Sequence, residues 1–177
     1  MIDKEAKMET TTVKLYSLRY GEAKTYLFAL LFAVGNIALP QLCHTVEMGG
    51  PTWLPIYFFT LVGAYKYGWR VGLLTAVVSP VVNSVLFGMP APAALPAIML
   101  KSILLAGIAG YAAYRFKRVS IILMLAVVLA YQVAGTLGEW ILKGDFYLAA
   151  QDFRIGIPGM AFQVVVGFLL LRYILRR

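Results

Sequence analysis

The chain has 177 residues, of which 61% are hydrophobic and 14% are charged, and its formal net charge is +8. A soluble domain carries about a quarter charged residues, and at this size its core cannot hide so much apolar surface. The composition therefore excludes an ordinary soluble protein and predicts a single-domain, all-α integral membrane protein. The one cysteine, Cys43, excludes an intrachain disulfide and a metal site built from several cysteines.

Residues 1–23 mix charged and polar residues without an apolar stretch, which is unlike a secretory signal, so we predict a cytoplasmic tail. A membrane-crossing helix needs about 20 mainly apolar residues, so residues 24–177 accommodate six transmembrane helices in one domain. Glycine, proline and charged residues separate these helices. The six predicted spans are Lys24–Leu42, Trp53–Tyr67, Val71–Phe87, Ala93–Tyr114, Val119–Leu142 and Ile155–Ile174.

The charged residues are distributed unevenly between the two sides of this arrangement. Of the 16 Lys and Arg residues, all but Lys101, Lys143 and Arg154 fall on the side that carries both termini. Basic residues concentrate in cytoplasmic loops, so both termini are predicted to be cytoplasmic. The same asymmetry explains the basic net charge without a nucleic-acid partner. The acidic residues beyond the tail fall toward the outer side, and they are Glu47, Glu139, Asp145 and Asp152.

The sequence carries no motif of a molecular motor or of a common hydrolase. A phosphate-binding loop GxxxxGK[ST], a zinc-protease HExxH and a nucleophile GxSxG are all absent. His44 is the only histidine, and no second histidine or cysteine pair supports a metal site. We therefore expect a protein that is not an enzyme and that uses neither a metal nor a cofactor.

Charged side chains inside predicted spans indicate a functional site, because they are costly in a membrane. Lys101 lies in the outer part of the fourth span. It either extends to the membrane surface, or it faces an internal cavity, where it binds an anionic group or pairs with Glu139. Glu139 lies near the outer end of the fifth span beside Trp140, either as a ligand-facing carboxylate or as an interfacial residue next to an aromatic anchor.

Asn83 and two aromatic residues are further candidates for ligand contact. Asn83 lies one helical turn after Ser79-Pro80, where proline frees a backbone carbonyl. It either bridges helices, which is the commoner role of such residues, or repairs the backbone, or binds a ligand. Trp53 and Tyr57 lie one turn apart at the outer end of the second span, and we predict that they stack on a flat ring ligand. Most other aromatic residues of that span are expected at the membrane interface or facing lipid.

Small residues recur at four-residue spacing in the first span, as Ala29-xxx-Ala33. Such a face lets two helix backbones approach closely. It either packs inside the helix bundle or docks to another membrane protein.

Together these features resemble the S components of energy-coupling factor (ECF) transporters, over roughly residues 24–175. The stretch that carries the resemblance reads LPQLCH and then GGPTWLPIYFFTLVGAYKYGWRVGLLTAVVSPVVNSVLFGMPAPAALPAIMLKSILL. It contains a Gly-Pro loop before a short helix that starts with LP, a Gly-Trp-Arg-Val-Gly turn, and a Ser-Pro helix that ends in FGMP.

In that family an S component binds a vitamin or vitamin precursor from outside, while a separate transmembrane coupling protein and two ATPases drive transport. The resemblance implies the same division of labour here, in a prokaryotic cell membrane, and assigns the coupling-protein contact to Ala29 and Ala33. Family binding sites lie near the outer surface. The positions of this sequence that fall there are His44, Glu47, Asn83, Lys101, Glu139, Trp140, Asp145, Asp152 and Arg154.

The identity of the substrate is left open, because the binding motifs of the biotin, thiamine and riboflavin members are not present. A pyrimidine, a pyridine or a benzimidazole-type cobalamin precursor would suit the mixture of aromatic residues and carboxylates. The alternative interpretation is a structural membrane scaffold without a small-molecule ligand, similar in size and span number to the rod-shape protein MreD. A small membrane enzyme that acts on lipid is a third interpretation.

Overall fold

The structure is a computed structural model that describes residues 11–12 and 17–175. It is built almost entirely from helices that are joined by short turns. In chain order the α-helices are Ala23–Cys43 (α1), Gly49–Trp53 (α2), Phe58–Tyr67 (α3), Trp69–Phe87 (α4), Leu95–Phe116 (α5), Ile121–Lys143 (α6), Phe146–Ala149 (α7), Gln151–Ile155 (α8) and Ile157–Leu175 (α9). A 3₁₀ turn at Pro55–Tyr57 precedes α3, and two short strands, Thr11–Thr12 (β1) and Arg118–Val119 (β2), pair antiparallel.

Among the described residues, α1, α4, α5 and α6 are long and apolar enough to cross a membrane. Each begins and ends within two residues of a predicted span. The apolar part of α9, Ile157–Tyr173, is shorter. The prediction of an all-α protein with membrane-length helices is confirmed. The predicted tail lies mostly outside the described residues, as do the last two residues of the chain.

The predicted second span is divided into three pieces and is not the single helix that we expected. Helix α2 ends at Trp53, Leu54 adopts a left-handed conformation with φ of 48°, and Pro55 starts the 3₁₀ turn. Proline lacks a backbone N–H and disfavours the helical conformation in the residue before it, so the helix cannot continue through this point. Gly68, with φ of 98°, then separates α3 from α4, so residues 58–87 form two helices, as predicted.

Helix α3 lies at the centre of the bundle, where it contacts α1, α4, α5 and α9. Leu61, Val62 and Tyr65 are fully buried, and Phe58 is 4% exposed. This position corrects the expectation that most aromatic residues of this region face lipid or form an interface belt. A short helix surrounded by others buries its aromatic residues as core, whereas Trp53 and Trp69, at the ends of the region, remain partly exposed.

The small-residue face of α1 also points inward. Ala29 and Ala33 are 6% and 2% exposed, and the carbonyl of Ala29 accepts a hydrogen bond from the Thr75 hydroxyl of α4 at 3.4 Å. The exposed face of α1 is instead formed by larger apolar residues such as Leu27 and Leu30. The assignment of Ala29 and Ala33 to a coupling-protein contact is therefore wrong in this structure, because a face inside the bundle cannot contact a second protein. The alternative, packing within the bundle, is what the structure shows.

The two ends of the bundle differ in their charged residues. The α3–α4 turn and the α5–α6 turn meet at one end, where the Tyr65 hydroxyl donates to the carbonyl of Arg118 at 2.6 Å. We call this the basic end, because it carries Lys66, Arg70, Arg115, Lys117 and Arg118. We call the opposite end, where the α1–α2, α4–α5 and α6–α9 connections meet, the cavity end.

Candidate functional site

The cavity end contains a cluster of four charged side chains around Lys101, which is only 3% exposed. The ammonium Nζ of Lys101 lies 2.6 Å from Oε2 of Glu139 and 2.8 Å from Oδ2 of Asp152. The ammonium of Lys143 lies 2.5 Å from the other Glu139 oxygen, Oε1. Two cations thus face two carboxylates, and the cluster as a whole is neutral. Of the two settings predicted for Lys101, the structure shows the interior one, paired with Glu139.

The packing of α5 against α6 places this cluster. A Cβ atom at Gly135 would lie 2.5 Å from Cγ of Lys101, so only a glycine leaves room for the aliphatic part of that lysine. Gly135 lies one helical turn before Glu139 on α6. The lysine stem therefore lies on the α6 backbone, and its ammonium reaches the carboxylate one turn further along the same helix. Asp152 completes the pair from α8, a helix of only five residues.

A cavity of about 340 Å³ opens beside this cluster. Lys101, Glu139, Lys143 and Asp152 form its charged wall. Its volume falls in the range of small-molecule sites, which are mostly apolar with a few placed polar groups. The apolar lining comes from the loops and helix ends of the cavity end, and it includes Pro40, Pro51, Leu54, Pro55, Ile56, Met89, Pro90, Ala91, Ala94, Ile98 and Leu148.

Four side chains of the cavity lining have polar groups without a hydrogen-bond partner among the described residues. They are Oδ1 of Asp152, the hydroxyl of Tyr57, the imidazole of His44 and the amide of Gln151. In contrast, both oxygens of Glu139 are occupied by lysines. A solute in the cavity would meet one carboxylate acceptor, one hydroxyl, one imidazole and one amide. These groups recognise hydrogen-bond donors and acceptors on a small polar molecule.

Tyr57 connects the cavity to the buried polar residues beneath it. Its ring lies 5.7 Å from that of Tyr131, centroid to centroid. The Tyr131 hydroxyl donates to Oε1 of Gln163 at 2.8 Å, and the Gln163 amide donates to the carbonyl of Leu54 at 3.4 Å. These bonds tie α6, α9 and the break before α3 together. Tyr131 and Gln163 thus bridge helices, which is the commoner role of intramembrane polar residues.

Asn83 also bridges helices and does not line the cavity. It is fully buried, its amide donates to the carbonyl of Asn36 at 2.9 Å, and its Oδ1 accepts from the Gln41 amide at 3.2 Å. Asn36 in turn donates to Thr60 at 2.9 Å. Of the roles predicted for Asn83, the structure therefore shows the bridge between helices, since its partners belong to α1 and not to the α4 backbone or to a cavity.

The remaining predicted site residues lie outside the cavity lining. Glu47 is exposed in the turn after α1. Trp53 is 43% exposed and packs edge-on against Phe162 of α9, with ring centroids 6.4 Å apart. The predicted pairing of Trp53 with Tyr57 on one ligand is therefore not seen, because the break at Leu54 turns the two side chains to different sides.

Trp140, Asp145 and Arg154 have local structural roles. Trp140 is 45% exposed and packs against Phe146, which fits the interfacial anchor that was its alternative interpretation. Asp145 caps α7 by accepting a hydrogen bond from the Leu148 amide at 3.1 Å. The guanidinium carbon of Arg154 lies 3.6 Å from the ring centroid of the exposed Tyr147.

Lys143 and Gln151 line the cavity but were not among the predicted site residues. Lys143 could have been found, because it follows Glu139 by four residues on a predicted helix, where opposite charges face each other. Gln151 carried no comparable signal in the sequence. Within the described part of the chain, no group of three or more His, Cys, Asp and Glu residues could hold a metal ion.

No family model matches the chain, and no curated protein or solved structure does so either. The functional interpretation therefore depends on the residues and the geometry of this chain.

Proposed function

We propose that this chain is the substrate-binding membrane subunit of an ECF-type importer, which captures a small vitamin-like solute at its cavity end. The observation that carries the proposal is the cavity of about 340 Å³ with the buried Lys101 cluster in its wall. Charged residues inside a membrane bundle are expensive, and their usual place is beside a substrate or ion pathway. The order of sequence features that resembles the S components supports the same class of protein.

The topology of this proposal has six crossings and both termini in the cytoplasm of a prokaryotic cell. Helices α1, α4, α5 and α6 supply four crossings by their length. The broken segment Gly49–Tyr67 and α9 supply the other two, because they return the chain between the same two ends. The basic end then faces the cytoplasm and the cavity end faces outward, in agreement with the preference of basic residues for the inner side.

The proposed substrate is a ring compound that carries no net charge. The charged wall is neutral as it stands, so an ionic solute would have to break a buried ion pair in order to be compensated. A neutral or zwitterionic solute instead finds free groups at Asp152, Tyr57, His44 and Gln151, within an apolar enclosure. A pyrimidine-, pyridine- or benzimidazole-type vitamin precursor has the flat shape and the ring nitrogens that such a site can recognise.

Energy for transport comes, in this proposal, from a separate coupling protein and two ATPases, because this sequence holds no phosphate-binding loop. Ala29 and Ala33 do not mark the docking surface, since both are buried within the bundle.

Native mass spectrometry of gently purified protein tests the proposal, together with thermal-shift measurements across a panel of neutral ring vitamins and precursors. We expect one defined small molecule to bind and to stabilise the protein. Asp152→Asn, which keeps the shape of the side chain, should weaken this binding by about tenfold, the cost of one charge-assisted hydrogen bond. Asp145→Asn, which changes the capping residue outside the cavity, should leave it unchanged.

Repeated absence of a ligand, with no thermal shift across the panel, would reject substrate capture and favour the scaffold interpretation. Loss of binding in Asp145→Asn, but not in Asp152→Asn, would place the site elsewhere.

A further inference from the structure

The basic end carries a second and larger concave surface, a groove of about 790 Å³. One wall is helix α5, which contributes Gly107 and Tyr111. The other wall is the turn between α3 and α4, which contributes Trp69 and Arg70, and Lys117 lies where α5 ends. None of these residues takes part in the cavity described above.

The apolar part of the groove is lined by small residues of α5. A Cβ atom at Gly107 would have no neighbour within 4 Å, so this glycine borders free space. Gly110 differs, because a Cβ atom there would lie 2.8 Å from the backbone nitrogen of Trp69. Gly110 thus lets α5 approach the α3–α4 turn, whereas Gly107 leaves room for an occupant. An apolar concave surface of this kind can accommodate a hydrocarbon chain.

Aromatic residues surround the groove at the helix ends. Trp69, Tyr111 and Tyr114 line it, and their exposed fractions are 42%, 66% and 73%. Exposed tryptophan and tyrosine rings at the ends of membrane helices are typical of the headgroup level of a bilayer. The groove therefore opens at the depth where lipid phosphates lie.

The two charged residues that line the groove, Arg70 and Lys117, are both cations. The guanidinium carbon of Arg70 lies 4.9 Å from the centroid of the Trp69 ring and 5.6 Å from that of the Tyr20 ring, which are cation–π distances. A guanidinium beside aromatic rings can still donate its N–H groups, and these bind phosphate oxygens in pairs. In the part of the chain that the structure describes, no carboxylate forms an ion pair with Arg70 or Lys117.

We infer that this groove binds one anionic phospholipid, with its phosphate on Arg70 and Lys117 and an acyl chain along Gly107. Basic pockets between membrane helices recognise anionic headgroups in this way. A free anion would use the two cations but would leave the apolar wall uncovered. A lipid covers both, at a depth where anionic lipid is abundant.

The test uses the full chain with Trp53 and Trp140 replaced by phenylalanine, so that Trp69 is the only tryptophan. The protein is reconstituted into phosphatidylcholine vesicles that contain either phosphatidylglycerol or phosphatidylcholine with brominated acyl chains, which quench tryptophan fluorescence on contact. We expect brominated phosphatidylglycerol to quench Trp69 at a several-fold lower mole fraction than brominated phosphatidylcholine. Equal quenching by the two lipids would overturn the inference.

Matched variants separate the apolar contribution from the charges. Gly107→Phe fills the groove and should abolish the preference for phosphatidylglycerol, whereas Leu129→Phe, at a 43% exposed position of α6 outside the groove, should keep it. In the double variant Arg70→Gln/Lys117→Gln, the two brominated lipids should quench Trp69 fluorescence equally. A preference that survives in both the Gly107→Phe and the double variant would also overturn the inference.

Two other occupants give different results. Soluble glycerophosphate should not relieve the quenching, and if it did so at millimolar concentration, the groove would be a site for free anions. If brominated lipid never quenched Trp69 and a co-purified membrane polypeptide shielded it, the groove would be a protein interface. Either result rejects a lipid site, and neither bears on ligand binding at the cavity end.

Discussion

The charged side chains at the two ends of this bundle differ in burial and in pairing. At the cavity end, Lys101 is 3% exposed and is neutralised by two carboxylates at 2.6 Å and 2.8 Å. At the basic end, Arg70 and Lys117 sit at the surface, and among the described residues no carboxylate pairs with them. The same residue types therefore build a closed, neutral site at one end and an open, cationic surface at the other.

The difference shows which charges the fold depends on. A buried ion that loses its partner costs several kcal/mol, whereas an exposed cation at a membrane surface costs little when it is removed. Substitutions at the cavity end should therefore affect stability and ligand binding together. Substitutions at the basic end should affect orientation and lipid contact and should leave the fold intact.

The sharpest test of the comparison is whether the two ends lie on opposite sides of the membrane. With Cys43 changed to serine, a cysteine at Tyr147 marks the cavity end and a cysteine at Lys117 marks the basic end. An impermeant thiol reagent on intact cells should label the first variant fully and the second only after the membrane is permeabilised. Labelling of both variants in intact cells would contradict the proposed topology.

Replacement of Lys101 by methionine should produce the largest loss of stability. It leaves the buried Glu139 and the partly buried Asp152 with only Lys143 nearby, and breaking a buried ion pair in this way costs about 3–5 kcal/mol. Thermal unfolding in detergent measures the effect. Lys143→Met is the control, because that side chain is 32% exposed and its loss should cost much less.

The triple variant Lys101→Met/Glu139→Gln/Asp152→Asn removes the charges together and should recover most of the lost stability. If Lys101→Met were no less stable than Lys143→Met, the cluster would not be closed in the way described.

A smaller loss is expected from Ala33→Leu, which inserts a larger side chain where Ala33 is 2% exposed. Overpacking of this kind costs about 1–3 kcal/mol. The neighbouring Val34→Leu is the matched control, because Val34 is 54% exposed and has room. Unchanged stability of Ala33→Leu, with loss of a partner protein from the purified complex, would restore the docking role that the structure removes from this face.

The smallest effect is expected at Arg154, which was a predicted ligand contact. Its guanidinium lies over the exposed Tyr147 ring, away from the cavity lining. Arg154→Gln should change the stability by less than about 0.5 kcal/mol, as for other surface substitutions, and should leave the ligand affinity unchanged. A clear loss of ligand binding, measured by titration, would extend the site beyond the cavity.

Hydropathy predicted the long helices because their position depends on local composition. The predicted spans Lys24–Leu42 and Val71–Phe87 correspond closely to α1 and α4. The break before α3 was harder to predict, because the apolar residues continue through Leu54 and Pro55, where the helix is interrupted. Helix α3 is apolar because its neighbours bury it, and hydropathy cannot distinguish such a helix from one that faces lipid.

The candidate site was only partly predictable for a related reason. Pairing of Lys101 with Glu139 was one of the two settings considered, since both lie toward the same end of neighbouring helices. The second partner, Asp152, comes from a five-residue helix whose path depends on tertiary contacts. Spacing along the chain also cannot tell a bridging residue such as Asn83 from a cavity residue such as Tyr57.

Gly135 links the packing of α5 against α6 to the position of the Lys101 ammonium. Because the stem of Lys101 lies directly on that glycine, α5 and α6 reach full contact only in the alignment that brings the ammonium to Glu139. Any slipped alignment would leave a bare ammonium among hydrocarbon chains, which is heavily disfavoured. The contact that seats the lysine stem on α6 is thus also the contact that forms the charged wall of the cavity, so a substitution that disturbs one should disturb the other.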